Sequence, residues 1–420
     1  MTMIAFEHAD VLDASAGVLL KDRFVRIEGA KITSVSDRPV DTAGARVINA
    51  RGRVLMPGLI DCHVHVLASQ LNIGALANVP NVFAVLRAVP ILKGMLDRGF
   101  TTVRDAGGAD WSLAEAVRTG VIEGPRIFPS GRALSQTGGH GDLRPRSDVL
   151  EPCACTFKVG AIARVVDGVD ALRLAVREEL QKGATQIKIM ASGGVASPTD
   201  PIHALGYSEA EIRAAVEEAS NAGTYVLAHA YTPRAISRAV RCGVRTIEHG
   251  NLVDAEAARV MADLGAIAVP TLVTYEALAS EGAGLGLPAE SVAKIETVRT
   301  AGLRSLETYA AAGVRMALGT DLLGESHRFQ SDEFRLRAGV LGHAEALRAA
   351  TVHAAHVLQQ DGLLGVIAPG ATADLLLVDG NPLQDISVLL GQGERLQLIV
   401  QDGKVVKDAA TPSAAASAAD

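Results

Sequence analysis

Aromatic residues are scarce, at 3% of 420 positions, and there are only four cysteines, Cys62, Cys153, Cys155 and Cys242. Four cysteines are too few for a disulfide framework in so long a chain. Cys153 and Cys155 have the spacing of half a zinc site, but no second pair follows, so both read as loop thiols. No apolar run is long enough to cross a membrane. The first residues, Met1-Thr2-Met3-Ile4-Ala5-Phe6-Glu7, lack a basic stretch followed by a long apolar one. The cytoplasm is therefore the default location, and because a trimmed precursor would look the same, secretion or a periplasmic place stays open. Forty Lys and Arg stand against forty-seven Asp and Glu, a net charge of −7 with no basic run. Neither nucleic acid nor a membrane surface is an expected partner.

Glycine is abundant, with 42 residues. Many glycines and few aromatics suit a repeated βα architecture with tight turns and an interior of Val, Ile, Leu and Ala. Residues 1–57 alternate short apolar runs with turns, as in Phe24 to Ile32 and Arg53 to Gly58, and residues 366–408 do so again in Asp374 to Val378 and Leu398 to Val406. The two ends are expected to share one small β-sandwich domain. Between them, strand candidates end near His65, Arg104, Pro129, Ile189, His229, His249, Pro270 and Thr320, separated by helical patterns. One helix start is marked by the capping box Ser208-Glu209-Ala210-Glu211. Eight such units over residues 58–365 predict an α/β fold, a (β/α)8 TIM-like barrel. A long connection from Ala133 to Val165 is expected to be a functional rim loop. Residues 409–420, rich in Ala and Ser, are expected to be disordered.

The sharpest local signal is Leu59-Ile60-Asp61-Cys62-His63-Val64-His65. Positions i and i+2 of a strand share a face, so His63 and His65 converge while Cys62 and Val64 point away. Further along, Lys188, His229, His249 and Asp321 each stand at the end of an apolar run, where barrel enzymes keep functional residues. Four imidazoles and one carboxylate suit two zinc ions, with other divalent metals sharing the same ligands. Lys188 is the odd member. Its buried amine can be driven neutral, and as a carbamate formed with carbon dioxide it becomes an anionic two-oxygen bridge. Glu248, next to His249, is expected to face the other way.

These residues resemble the amidohydrolase superfamily, in its subset with a binuclear metal centre bridged by a carboxylated lysine. The resemblance covers nearly the whole chain, including Pro57-Gly58-Leu59-Ile60-Asp61 and Pro369-Gly370-Ala371-Thr372-Ala373-Asp374-Leu375. It implies that His63, His65 and Asp321 hold one metal, that His229 and His249 hold the other, and that N6-carboxylated Lys188 bridges them. It also implies that a hydroxide between the metals attacks the amide carbonyl while Asp321 passes the proton to the leaving amine. His140, in Thr137-Gly138-Gly139-His140-Gly141-Asp142, and Tyr231, in His229-Ala230-Tyr231, resemble positions that a dipeptidase-like subgroup uses for the scissile carbonyl and the substrate carboxylate. His327 is a further substrate-binding candidate.

Within the superfamily the chain is most similar to the prolidase-like subgroup and its ochratoxin-degrading amidohydrolases. The implied activity is release of a C-terminal hydrophobic or aromatic amino acid from dipeptides or N-acyl amino acids, with ochratoxin A among the candidate substrates. Leu278, Leu285, Leu287 and Phe329 lie in rim loops placed to line an apolar pocket. The same fold also supports cyclic-amide hydrolysis or deamination, although Lys188 weighs against the deaminases. A metal-free binding protein would have lost ligands, and all six are present. His353, where the family often has asparagine, and His356 read as packing or helix-end residues. Homo-oligomers are common in the family and one is expected here.

Overall fold

The computed structural model describes residues 2–144, 158–195, 197, 200–281 and 289–409, with side chains omitted for 289–293. Cys153, Cys155, Leu285, Leu287 and the tail from 410 lie outside the described residues. The chain opens with β1 (Met3–Asp13) and β2 (Val18–Glu28), an antiparallel pair extended by β3 (Lys31–Ser36). β4 (Arg46–Asn49) and β5 (Val54–Pro57) both run parallel to β1.

A series of parallel strands follows. β6 (Leu59–Val64), β7 (Phe100–Asp105) and β8 (Arg126–Phe128) make a three-stranded sheet. A six-stranded sheet takes β9 (Ala133–Ser135), β10 (Ala163–Val165), β11 (Ile187–Met190), β12 (Val226–Ala230), β13 (Thr246–His249) and β14 (Ile267–Val269) in the order β10-β9-β11-β12-β13-β14. A single closed eight-stranded ladder is therefore not what the pairing shows. Individual backbone bonds cross the two seams instead, from Thr185 N–H to the Pro129 carbonyl at 2.8 Å, from Cys62 N–H to the Leu318 carbonyl at 2.8 Å and from Ala317 N–H to the Ala268 carbonyl at 2.9 Å. The last segment makes one isolated bridge, Ala268 with Met316.

The connection from Ala133 to Val165 is not wholly loop. It starts and ends in the paired strands β9 and β10, each three residues long and too short to show a period of two. Helices follow the parallel strands, and the one over Glu209–Asn221 begins with Ser208 and Glu211 in a reciprocal capping box, as the sequence indicates. No described helix is long and apolar enough to cross a membrane.

The chain returns through β15 (Leu375–Val378), β16 (Leu396–Gln401) and β17 (Lys404–Asp408), which join the N-terminal strands in one eight-stranded sheet ordered β17-β16-β15-β5-β1-β2-β3, with β4 on β1. The strands of the two chain ends thus join in one hydrogen-bonded ladder. Alternation along β15 divides its side chains between two cores. Leu375 and Leu377 pack with Ile4, Phe6, Val25 and Ile27, whereas Leu376 and Val378 pack with Leu92, Leu96 and Phe100 beside the parallel strands. Burial on both faces explains the unbroken apolar run Leu375–Val378. Each such side chain contributes about 1.5–3 kcal/mol, so apolar burial fixes this sheet against the parallel strands and sets the frame for the site at their C-terminal ends.

Candidate active site

The strand ends bring His63, His65, Lys188, His229, His249 and Asp321 to one pocket floor. His63 and His65 follow from the alternation of β6, with Cys62 turned away so that its thiol meets the Ala354 carbonyl at 3.7 Å. Two of the six depart from strand geometry. His249 has φ 69° and Asp321 φ 53°, left-handed values rare for residues with a Cβ and commonest where a site demands them. The Asp321 amide donates to the His63 carbonyl at 2.8 Å, which ties the two ligands through the main chain. Gly319 lies just before, and a Cβ there would come within 2.8 Å of His63 Cβ and 2.7 Å of Val269 Cγ1.

The left-handed turn at His249 also corrects the expectation for Glu248. Strand alternation places neighbours 248 and 249 on opposite faces, yet both reach His63. Glu248 Oε2 accepts from His63 Nδ1 at 2.6 Å, and the His63 and His249 ring centroids lie 4.9 Å apart. Glu248 is fully buried and shared with Arg104, whose Nη2 reaches both carboxylate oxygens at 2.8 Å, and with the Thr246 hydroxyl at 2.6 Å. Burial alone would raise its pKa, but Arg104 and His63 hold it well below the usual carboxylate range. The sequence pattern marks neither Arg104 nor Glu248 as part of the site. Asp61 supports the floor from the other side by accepting from the His63 amide at 3.1 Å, the Thr320 hydroxyl at 2.6 Å and Gln330 Nε2 at 2.9 Å.

The donor set fits metal ions. In the tautomer whose Nδ1 donates to Glu248, His63 presents a lone pair on Nε2, a buried atom with no hydrogen-bond partner among the described residues. His65 Nδ1 donates to the Gly107 carbonyl at 2.9 Å, which frees its Nε2 likewise. Both Nε2 atoms face Asp321 Oδ1, at 3.4 and 3.3 Å. Acceptors this close repel unless a metal ion or a proton lies among them; burial lowers the pKa of His65, but Asp321 holds it above the usual imidazole value. Ligand atoms of His63, His249 and Asp321 fall within 4.8 Å of one another, and the His229 ring lies 4.6 Å from that of His249. Burial pushes the pKa of His229 and of His249 well below the usual imidazole value. Burial opposes ionisation of Asp321, but His63, His65 and His249 hold its pKa well below normal. Neutral imidazoles and an ionised carboxylate are the protonation states that metal binding requires. Burial pushes the Lys188 amine down to about 8, and no described group bonds to it.

The pocket walls carry the substrate-facing candidates. The His140 ring stacks on His229 at 4.2 Å, and its Nδ1 donates to the buried Asp200 Oδ2 at 3.1 Å. The Tyr231 hydroxyl lies 2.6 Å from that of Tyr275, and both residues line the pocket. Asp200 and Tyr275 are invisible in the sequence, because each meets the site only through a loop or helix whose position the chain order does not reveal. Leu278 lines the pocket with Ile73, Leu143, Ile162, Val195 and Leu323. His327 and Phe329 are not brought to this wall. His327 is buried behind it with Nε2 donating to the Ala68 carbonyl at 3.3 Å, and burial pushes its pKa down to about 3. Phe329 packs on Val273, Ala277 and Leu322 under the Arg328 guanidinium, since the turn Gly324–Phe329 directs it outward. His353 and His356 bond to the Met316 carbonyl and Asp361, away from the site.

The pattern of the Amidohydrolase family matches residues 54–406. The chain belongs to the amidohydrolase family. It is 32% identical over 387 residues to ochratoxinase of Aspergillus niger, covering 89% of this chain and 79% of that protein. Among solved structures, a prolidase complexed with N-methylphosphonate-L-proline is 63% identical with a TM-score of 0.95, over 97% of this chain and 100% of that one. A Xaa-Pro dipeptidase with methionine bound in its active site is 28% identical with a TM-score of 0.86, again over 97% and 100%. These relatives place this amidohydrolase in the prolidase-like subgroup of the superfamily, as a hydrolase.

Proposed function

We propose that this amidohydrolase releases the C-terminal amino acid, proline or an apolar or aromatic residue, from dipeptides and N-acyl amino acids, ochratoxin A included. The observation that carries the reading is the 63%-identical prolidase bound to a prolyl phosphonate. A tetrahedral phosphonate on the proline nitrogen has the shape of an acyl-proline bond to which water has added. The apolar wall of Ile73, Leu143, Ile162, Val195, Leu278 and Leu323 suits an uncharged side chain.

His63, His65 and Asp321 would hold one divalent ion and His229 with His249 the other, zinc in this reading, with carboxylated Lys188 as a further ligand. When bound, the ions acidify water and polarise the amide carbonyl. Glu248 and the Gly107 carbonyl fix the rings of His63 and His65 by accepting hydrogen bonds from their Nδ1–H groups. Asp321 takes the proton of the attacking water as its oxygen bonds to the amide carbon, then delivers it to the nitrogen as the C–N bond breaks. With Nδ1 donating to Asp200, His140 would donate to the carbonyl oxygen, where charge develops, when its Nε2 also carries a proton. Tyr231 donates to the substrate carboxylate.

The test is hydrolysis of dipeptides and N-acyl amino acids ending in Pro, Phe, Leu, Arg or Asp, beside ochratoxin A and a hydantoin, by zinc-loaded protein. Release of Pro, Phe or Leu ahead of Arg and Asp is the expected result. Turnover of the hydantoin alone would overturn the substrate class.

A further inference from the structure

A substrate with a free carboxylate needs an anion-binding group, and the described pocket wall holds no arginine and only one lysine, Lys188, which sits among the metal-ligating candidates. Among the described lining residues, the donors left for a carboxylate include His140 and the hydroxyls of Tyr231 and Tyr275. Tyr231 and Tyr275 are each 2% exposed, with their hydroxyl oxygens 2.6 Å apart. Within the pair one hydroxyl donates to the other, and the second proton is left for an outside acceptor. An arriving carboxylate accepts from both when the donating hydroxyl rotates, which exchanges a neutral hydrogen bond for stronger charge-assisted ones.

The pair is held from both sides. The Tyr231 ring stacks on His249 at 5.3 Å with the planes 25° apart. Thr271, four residues before Tyr275, has its hydroxyl 2.8 Å from His249 Nδ1. Tyr275 rides on the helix Leu272–Glu281, and that helix start is pinned by Glu333 Oε2, which accepts from the amides of Leu272 at 3.0 Å and Val273 at 2.8 Å. Glu333 is held in turn by Arg337 at 2.7 Å, and Arg337 also donates to the Pro270 carbonyl at 2.6 Å. Two rigid elements therefore present two hydroxyls at a fixed separation beside the reacting centre. Rigid presentation lowers the ordering cost of binding.

We propose that Tyr275 is a specificity-determining residue that forms, with Tyr231, a paired-phenol clamp for the α-carboxylate of the released amino acid. The clamp rests on the reading of the protein as an enzyme that liberates a C-terminal amino acid, and it adds a second donor on an independent element. The two hydroxyls act as one unit, so removing either disables the pair.

Tyr275→Phe removes one oxygen and keeps the ring. Two measurements on the metal-loaded protein test the clamp: kcat and KM for a dipeptide against its C-terminal amide, and calorimetric affinity for a free L-amino acid against its carboxamide. Losing a hydrogen bond to a charged group is expected to raise KM for the free acid about 10-fold or more, with little change for the amide and with kcat nearly constant. The double variant Tyr231→Phe/Tyr275→Phe is expected to be no worse than the poorer single variant. A Tyr275→Phe protein that keeps the full preference for free acid over amide would overturn the clamp. If the wild-type protein binds the amino acid over its carboxamide and Tyr275→Phe abolishes that preference, yet no dipeptide is cleaved, the clamp stands and the hydrolase reading falls.

Discussion

At the scale of the residue, His249 and Asp321 show how the site is made. Each adopts a left-handed backbone, which costs a residue with a Cβ roughly 1–2 kcal/mol. That conformation aims each side chain at the pocket centre. Asp321→Asn keeps the shape but cannot take up the proton of the attacking water. Its kcat/KM is expected to fall by about 10³-fold or more, with an unchanged circular dichroism spectrum. A near-normal rate would remove Asp321 from the chemistry. Glu248→Gln retains volume and loses the charge that orients His63, so metal affinity is expected to fall by about 10–100-fold in a chelator competition titration. Lys188 supplies a pH test with a definite sign. Below about pH 8 its amine is mostly ammonium, which does not combine with carbon dioxide, and above it the neutral amine predominates. Carbamate formation by metal-free protein at a fixed concentration of dissolved labelled carbon dioxide, followed by carbon NMR, is therefore expected to proceed roughly 25-fold faster at pH 8.5 than at 6.5 on the neutral fraction alone.

The six candidate ligands are legible in the sequence, because period-two alternation and apolar runs ending in His, Lys or Asp carry their own geometry. Glu248 is misplaced by the same rule: alternation fails at a residue that leaves the strand, and nothing in the sequence marks His249 as doing so. Tyr275 and Asp200 have no local signal.

At the scale of the element, the loop after β11 controls His140. Lys294, on the helix Ala289–Ala311, donates to three carbonyls of that loop, Gly194 at 3.2 Å and Ser197 and Asp200 at 2.9 Å. Asp200 then holds His140, and Gly194 leaves no room for a side chain, since a Cβ there would sit 2.1 Å from the imidazole. Lys294→Met is expected to free the loop and lower kcat about 10-fold or more through a misplaced His140, while metal content stays at the wild-type level. Loss of metal together with rate would mean that the loop supports the ligands instead. The short strands β9 and β10, hidden inside the apparent rim loop, anchor the His140 segment at both ends. Three residues are too few for a periodic signal, and their pairing partners are distant in sequence.

At the scale of the whole molecule, both chain ends meet in one sheet, and the C-terminal ends of the parallel strands carry the site. The sequence announces that division through its change of rhythm near residues 57 and 366. It does not announce that the parallel ladder divides into two sheets, because single backbone bonds across a seam have no sequence signature. A ligand set spread over strands from β6 to the Asp321 segment means that bound metal ties distant parts of the chain together. Removing metal with a chelator is expected to lower the melting temperature by several degrees and restoring zinc to recover it, as for any ligand that binds only the folded state. An unchanged melting temperature would argue against a metal centre spanning these strands.

The central claim is that this metal centre cleaves an amide to release an amino acid with a free carboxylate. The most direct measurement is the appearance of that amino acid when zinc-loaded protein, with metal content determined, meets Xaa-Pro and Xaa-Leu dipeptides and their C-terminal amides. Release from the free acids, much weaker release from the amides and none by the Asp321→Asn protein are expected. A fully metal-loaded protein that releases no amino acid from any of them would contradict it.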